Sequence, residues 1–137
     1  MSAIDYTAIL PEGWQRARGF SYAVRSQGTR SVHVAGQVAA VEGNRSIAEG
    51  LDMGGQWAAA LGNVVTLVRE AGGAAENIVA MRVYVTDIDA FNAAGKAIGA
   101  AWAEHLGKHF PAMTLVEVSR LVDPHAVVEI EAEAVLA

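Results

Sequence analysis

Three carboxylates at every second position, Glu129, Glu131 and Glu133, are the residues of this chain that most suggest chemistry. They alternate with Val128, Ile130, Ala132, Ala134 and Leu136, which is the two-residue period of a strand with one apolar and one acidic face. A row of carboxylates cannot sit in a dry core without partners, so that face must be wet, paired across an interface, or catalytic. A single carboxyl group can act as general acid and general base in turn, giving a proton and taking one back.

Other chemistries find less support. The chain has no cysteine, which removes thiol nucleophiles, disulfides and thiolate metal sites. Redox chemistry would need a bound cofactor, and none is expected. Of the four histidines, His33, His105, His109 and His125, only His105 and His109 share an i,i+4 spacing. They flank Gly107 with no third ligand in view, so no metal site is expected. No G-x-S-x-G elbow is present, and the glycine pairs at 54–55 and 72–73 lack the strand, turn and Lys-Ser/Thr context of a phosphate loop. Glu117 reads as a structural carboxylate, and Trp14, Trp57 and Trp102 read as core or interface anchors.

With 137 residues and 53% apolar content, the chain suits one core, and residues 1–137 read as a single domain. The net charge is −5 and the Lys and Arg residues are scattered, so no phosphate-tracking stripe forms and no nucleic-acid partner is expected. No apolar run approaches the roughly 18 to 20 residues that cross a bilayer, so no membrane partner is expected. The segment MSAIDYTAIL has neither a basic start nor an unbroken hydrophobic stretch, and a cytoplasmic location is expected.

The acidic row must be held by a sheet, and the elements of one are legible. Phe20 to Ser26 and Ser31 to Ala39, separated by Gln27-Gly28-Thr29, read as a hairpin; in the second run Val32, Val34 and Val38 form the core face, opposite His33, Ala35 and Gln37. Ser46 and Glu49 suggest a capping box. Leu51, Ala58, Leu61, Val65 and Val68 then recur at helical spacing to Gly72-Gly73, a helix of about seven turns. Gly54-Gly55 within it predicts irregularity or close packing. Ile78 to Thr86 alternates as a half-buried strand. Asp89 is expected to cap a second helix carrying Phe91, Ala94, Ile98 and Trp102 and ending near Gly107. Strands over Met113 to Leu121 and Ala126 to Leu136, joined by Asp123-Pro124-His125, complete the order ββαβαββ.

The stretches VAGQVA (34–39), Gln56 to Gly73 ending in REAGG, RVYVTDIDAF (82–91), FPAMTLVEVSRL (110–121) and VVEIEAEA (127–134) occur in this order across nearly the whole chain. Together they resemble the Rid family, the reactive intermediate deaminases also described as L-PSP endoribonuclease-like proteins. The resemblance implies an α+β, chorismate-mutase-like fold with two helices on one face of a mixed sheet. It also implies a homotrimer whose three sheets surround a central barrel, with a pocket at each cleft between subunits. The acidic sheet face would then be interfacial.

Residue by residue, the resemblance implies Glu129 as the catalytic carboxylate and Phe20, Ala35, Gly36, Gly95, Met113 and Thr114 as substrate-binding positions. Four of these depart from the family pattern: Phe20 stands for its Tyr, Ala35 for its Ser before Gly-Gln, Gly95 for its helix-two Asn, and Met113 for the Arg that clamps the substrate carboxylate. Hydrogen bonds to a charged partner are worth about 1.5–3 kcal/mol each, so losing a two-pronged clamp costs an acidic substrate about 100-fold or more. The expected activity is therefore that of a hydrolase acting on C=N bonds, like the family's 2-iminobutanoate/2-iminopropanoate deaminases, but on a larger or less acidic imine or enamine. Arg82, Arg120 or Arg18 of a neighbour are the other cations available to a carboxylate. The alternative expectation is a trimer scaffold that binds a small metabolite or a partner without catalysis.

Overall fold

Strand alternation in the last part of the chain builds the centre of the molecule, which this computed structural model describes for residues 4–41, 46–47 and 49–137. The first three residues of the N-terminal segment read above lie outside the described residues. The elements are β1 (Asp5–Ile9), β2 (Ala23–Gln27), β3 (Arg30–Gln37), β4 (Ala40–Val41), β5 (Ser46–Ile47), α1 (Met53–Glu70), a 3-10 turn (Ala75–Asn77), β6 (Ile78–Val85), α2 (Ile88–Ala93), α3 (Gly95–His105), β7 (Ala112–Glu117) and β8 (Val128–Leu136). Four strands form a mixed sheet in the order β3-β8-β6-β7. Its one parallel pair, β6 with β7, is joined by the helical crossover that parallel strands require.

Strand β8 sits inside this sheet, antiparallel to β3 on one side and β6 on the other. Its apolar set, Val128, Ile130, Ala132, Ala134 and Leu136, is buried together with Met81, Val83 and Val85 of β6. Trp57, Leu61, Val64, Val65 and Val68 of α1 pack against them. Each such side chain contributes about 1.5–3 kcal/mol by leaving water, and this layer is the main source of stability. Buried polar groups tie the layers together. Gln56 of α1 donates to the carbonyl of His125 and accepts from the N–H of Val127, both at 2.9 Å. Asn77 donates to the carbonyl of Val135 at 2.9 Å.

The expected α+β class, with helices on one face of a mixed sheet, is present, and several details differ. The Phe20–Ser26 and Ser31–Ala39 runs do not pair with each other: β2 pairs with β1, and β3 pairs with β8. At the turn between them Thr29 donates to the carbonyl of Leu136 at 2.9 Å, so the chain is captured by the end of β8 as it leaves β2. Gly28 leaves room for this, since a side chain there would meet Val135 Cγ1 at 2.6 Å. The β1–β2 pair joins the β7 edge through a parallel bridge between Ser21 and Ala112.

Helix α1 is capped by Asp52, whose carboxylate accepts from the N–H of Gly55 at 2.8 Å; Ser46 pairs with Val41 in a short two-stranded sheet instead. The helix has 18 residues, so about five turns rather than seven. Gly54 gives the close packing expected of it: a Cβ there would lie 2.8 Å from the Cβ of Ala97 in α3. At the other end Gly72, at φ +98, lets Gly73 donate to the carbonyl of Val68 at 2.9 Å.

The expected second helix is two. Asp87, rather than Asp89, caps α2 by accepting from Ala90 at 3.0 Å, and the chain breaks at Ala94 before α3 begins. Glu117 proves structural, accepting the Ile88 N–H at 2.9 Å. Trp102 of α3 stacks between Trp57 and Phe110, with ring centroids 6.4 and 5.9 Å away. Among the described residues no helix is long and apolar enough to cross a membrane.

Candidate functional site

The face of the sheet opposite the helices carries the polar residues. The registers place Glu133 beside His33, Glu131 beside Arg82 and Glu129 beside Tyr84. Arg82 spans two of the three carboxylates: its Nε lies 3.1 Å from Glu131 and its guanidinium also binds Glu133. Tyr84 donates its hydroxyl to Glu131 rather than to Glu129, its direct cross-strand neighbour. The hydrogen bond from Tyr84, and then that from Arg82, hold the Glu131 carboxyl below its usual range. The Glu133 and Glu131 hydrogen bonds push the Arg82 guanidinium well above its already high value, so the cation is permanent.

Glu129 is different. Among the described residues no Lys, Arg or His nitrogen lies within 4.0 Å of its carboxylate. It lies instead on the backbone of Gly36. Between Val34, paired with Ala132, and Gln37, paired with Ile130, strand β3 has one residue more than β8. This bulge at Ala35-Gly36 brings the β3 backbone under the Glu129 side chain. A Cβ at Gly36 would lie 2.8 Å from Glu129 Cδ and 2.9 Å from Cγ, closer than nonbonded carbons approach, so a side chain here would require Glu129 or the strand to shift.

A cavity of about 300 Å³ opens over this pair and is walled by Val38, Ala40, Ser46, Ile47, Val122 and Asp123, with Gln37 at its side. Val122 is fully exposed at the rim. Asp123 accepts the His125 N–H at 2.8 Å, and the Gln37 amide donates to the Ala35 carbonyl at 3.0 Å. Among the described residues Glu129 is thus the carboxylate of the cavity that has no such bond. These groups can hold a small, weakly polar molecule beside one proton-transferring carboxyl.

Of the residues singled out in the sequence, one protomer brings Gly36 and Glu129 into contact and leaves Ala35 exposed on the adjoining bulge. Phe20 lines a second cavity near the N-terminal strands. Met113 pairs in register with buried Met81 and packs on the hydrophobic core, while exposed Thr114 pairs with Arg82. Both lie on β7, beyond β6 from β8. Gly95 begins α3 in the helical layer. Ser46, Val122 and Asp123 were not singled out as pocket residues. Asp123-Pro124 carried a readable signal, a turn that returns the chain to the start of the glutamate strand. Among the described residues no three His, Asp or Glu side chains are grouped to hold a metal ion; His105 lies 3.3 Å from Glu104, and His109 donates to the carbonyl of Ile78.

Comparison with known proteins places this geometry in context. A family model described as endoribonuclease L-PSP matches residues 14–136. The Yersinia pestis protein YyfB, described as a protein of unknown function of the conserved Rid family, has a similar structure: TM-score 0.83 and 32% identity, covering 96% of this chain and 98% of that one. TdcF of Escherichia coli, solved with bound serine, matches at TM-score 0.69 and 26% identity over 96% and 99% of the two chains. The E. coli YjgF gene product matches at TM-score 0.67 and 29% identity over 94% and 98%. No curated protein matches the sequence.

Proposed function

Because the chain belongs to the endoribonuclease L-PSP, or Rid, family, we propose that it is a hydrolytic deaminase of small reactive imines and enamines, with Glu129 as its acid and base. The observation that carries the reading is the contrast on β8: Glu131 and Glu133 are taken up by Arg82 and Tyr84, while Glu129, on the Gly36 bulge in a cavity of about 300 Å³, has no cation partner among the described residues. In the forward reaction Glu129 accepts a proton from water as its oxygen bonds to the imine carbon and the π electrons move to nitrogen. Glu129 returns that proton to nitrogen to give a carbinolamine, then carries the hydroxyl proton to the same nitrogen as the C=O bond forms and the C–N bond breaks, so the products are a carbonyl compound and ammonia. An enamine is first protonated on carbon to give the imine.

Among the described residues the walls of the cavity mix Val38, Ala40, Ile47 and Val122 with Gln37, Ser46 and Asp123 and include no cation, and Met113, at the position of the family's carboxylate clamp, offers none either. The substrate is therefore a larger or less acidic imine than the family's small 2-imino acids. We propose that a homotrimer covers the sheet face around Glu129, with neighbouring subunits bringing Phe20, Gly95, Met113 and Thr114 toward the cavity. An RNA-cleaving role is the weaker reading, because the open face presents a row of carboxylates in a chain of net charge −5 and would repel phosphates.

The test is ammonia release from imines made in situ by an amino-acid oxidase acting on apolar and acidic amino acids, for wild type and Glu129→Gln, with light scattering to follow assembly. Acceleration by wild type alone, strongest with apolar imines, supports the proposal. Equal rates in both proteins remove Glu129 from the chemistry. No acceleration with any imine, alongside measurable ligand affinity in both, favours a metabolite-binding scaffold.

A further inference from the structure

Beside the cavity of Glu129 lies a larger opening of about 750 Å³, and Val122 and Asp123 line both. The two spaces therefore adjoin along one turn, with Val122 at their boundary. Val122 is fully exposed, and Leu121, Pro124, Ala126 and Val127 add apolar wall to the larger space. Its polar edge is Thr86, Ser119 and Arg120, the last being the cation among its described lining residues. A bound molecule that outgrew the first cavity would enter the second past the Val122 side chain.

The turn is anchored on the side that leads to Glu129. Asp123 accepts the His125 N–H at 2.8 Å with its side chain and the Ala126 N–H at 3.1 Å with its carbonyl. Buried Gln56 of α1 holds the backbone on both sides of Ala126, and the Val127 carbonyl accepts the Thr86 N–H at 3.0 Å. Val122 and Glu129 thus lie at opposite ends of one clamped segment, which fixes the apolar side chain relative to the carboxylate. Size gives that place its meaning. A cavity of about 300 Å³ stands at the lower limit of small-molecule sites, so a substrate larger than a small 2-imino acid needs the adjoining space.

We propose that the larger opening is the distal subsite of the Glu129 site, taking the side chain of an imine whose C=N group lies at Glu129, with Val122 as the residue that selects among side chains. The proposal rests on the deaminase reading and names its substrate class: imines with long apolar side chains rather than short or charged ones. Each buried methylene is worth about fourfold in binding, so chain length is the property that such a subsite reads. A distal carboxylate directed at Arg120 is the competing use of the same space.

The experiment measures kcat/KM for ammonia release with imines made in situ from alanine, norvaline, norleucine and glutamate, for wild type, Val122→Phe and Arg120→Gln. Wild type should favour longer chains by about fourfold per added methylene, with the glutamate imine about tenfold or more behind that of norleucine. Val122→Phe, at an exposed position where folding tolerates it, places a ring at the boundary and should lower the norleucine-to-alanine ratio about tenfold. Parallel NMR titrations of propanamide and hexanamide, neutral planar analogues of the imine, read the subsite without turnover. Hexanamide should bind about tenfold tighter or more, and Val122→Phe should remove that advantage. The subsite is overturned if chain length changes neither kcat/KM nor amide affinity, if Val122→Phe leaves both ratios as in wild type, or if the glutamate imine leads and Arg120→Gln removes its lead. Absence of turnover with every imine, beside an amide preference that Val122→Phe removes, overturns the deaminase reading and keeps the subsite.

Discussion

The two ends of the acidic row on β8 carry the same residue type on the same face of the same strand, about 13 Å apart along it, and they do different things. At one end Glu131 and Glu133 are clamped by Arg82, and Tyr84 adds a hydrogen bond to Glu131. At the other, Glu129 has no cation within 4.0 Å among the described residues and rests on the Gly36 backbone. The difference comes from the neighbours: β6 places Arg82 where it reaches two carboxylates, and β3 bulges where it would otherwise offer Glu129 a side chain. One end is a cross-strand brace, and the other is the group to which we assign proton transfer in our proposal. Identical residues in a strand take their roles from the strand beside them.

The strongest way to break this comparison is to neutralise each carboxylate in turn. Glu129→Gln should lower imine turnover about 100-fold or more, the scale of a lost general acid/base, and leave the thermal midpoint within about a degree of wild type. Glu131→Gln should do the reverse, costing some stability and little turnover. Steady-state ammonia release and calorimetric melting on the two variants decide the matter, and equal effects on both quantities would erase the distinction.

The bulge can be tested apart from the carboxylate. Gly36→Ala would place a methyl against Glu129 Cδ and Cγ, so either the carboxylate or strand β3 must move. Turnover should fall about tenfold or more, since displacements on the scale of 1 Å cost that much, and stability should fall by about 1–3 kcal/mol. A Gly36→Ala enzyme with unchanged turnover would show that the close contact does not position Glu129.

The same contrast explains what was legible in the sequence. Alternation along Val128–Leu136 and Met81–Val85 correctly assigned the faces, because a two-residue period is a property of the strand alone. Partners are not such a property. β2 and β3 are adjacent in sequence, yet β3 pairs with a strand about a hundred residues later. β1, at Asp5–Ile9, passed unread because its burial hardly alternates. The capping box at Ser46 was a valid local signal that lost to Asp52, the residue directly before the helix. At the site, Glu129 and Gly36 were marked by family resemblance, whereas their contact required knowing where β3 bulges. Phe20, Gly95, Met113 and Thr114 lie elsewhere in the protomer, and a single chain gives them no reason to meet Glu129.

The brace itself should yield a smaller effect. Arg82→Met removes the cation shared by Glu131 and Glu133 and leaves two carboxylates facing the same opening. All three side chains are about a third exposed, so water screens much of the interaction and the expected loss is about 1 kcal/mol in chemical denaturation. A loss several times larger would mean that the network is desolvated in the assembled protein. Arg82→Met would then separate a face open to water from one covered by neighbouring subunits.

The smallest predicted effect depends on pH and tests the brace without removing a residue. The folded state holds the Glu131 carboxyl below its unfolded value. Its contribution is therefore present in full above the usual carboxylate range and is lost as pH falls through that range toward the lower folded value. Tyr84 moves the other way, raised chiefly by its hydrogen bond to Glu131, so its contribution holds below the ordinary phenol range and fades as pH rises through the folded value. Melting temperatures of wild type and Glu131→Gln should thus differ most between these limits and converge below about pH 4.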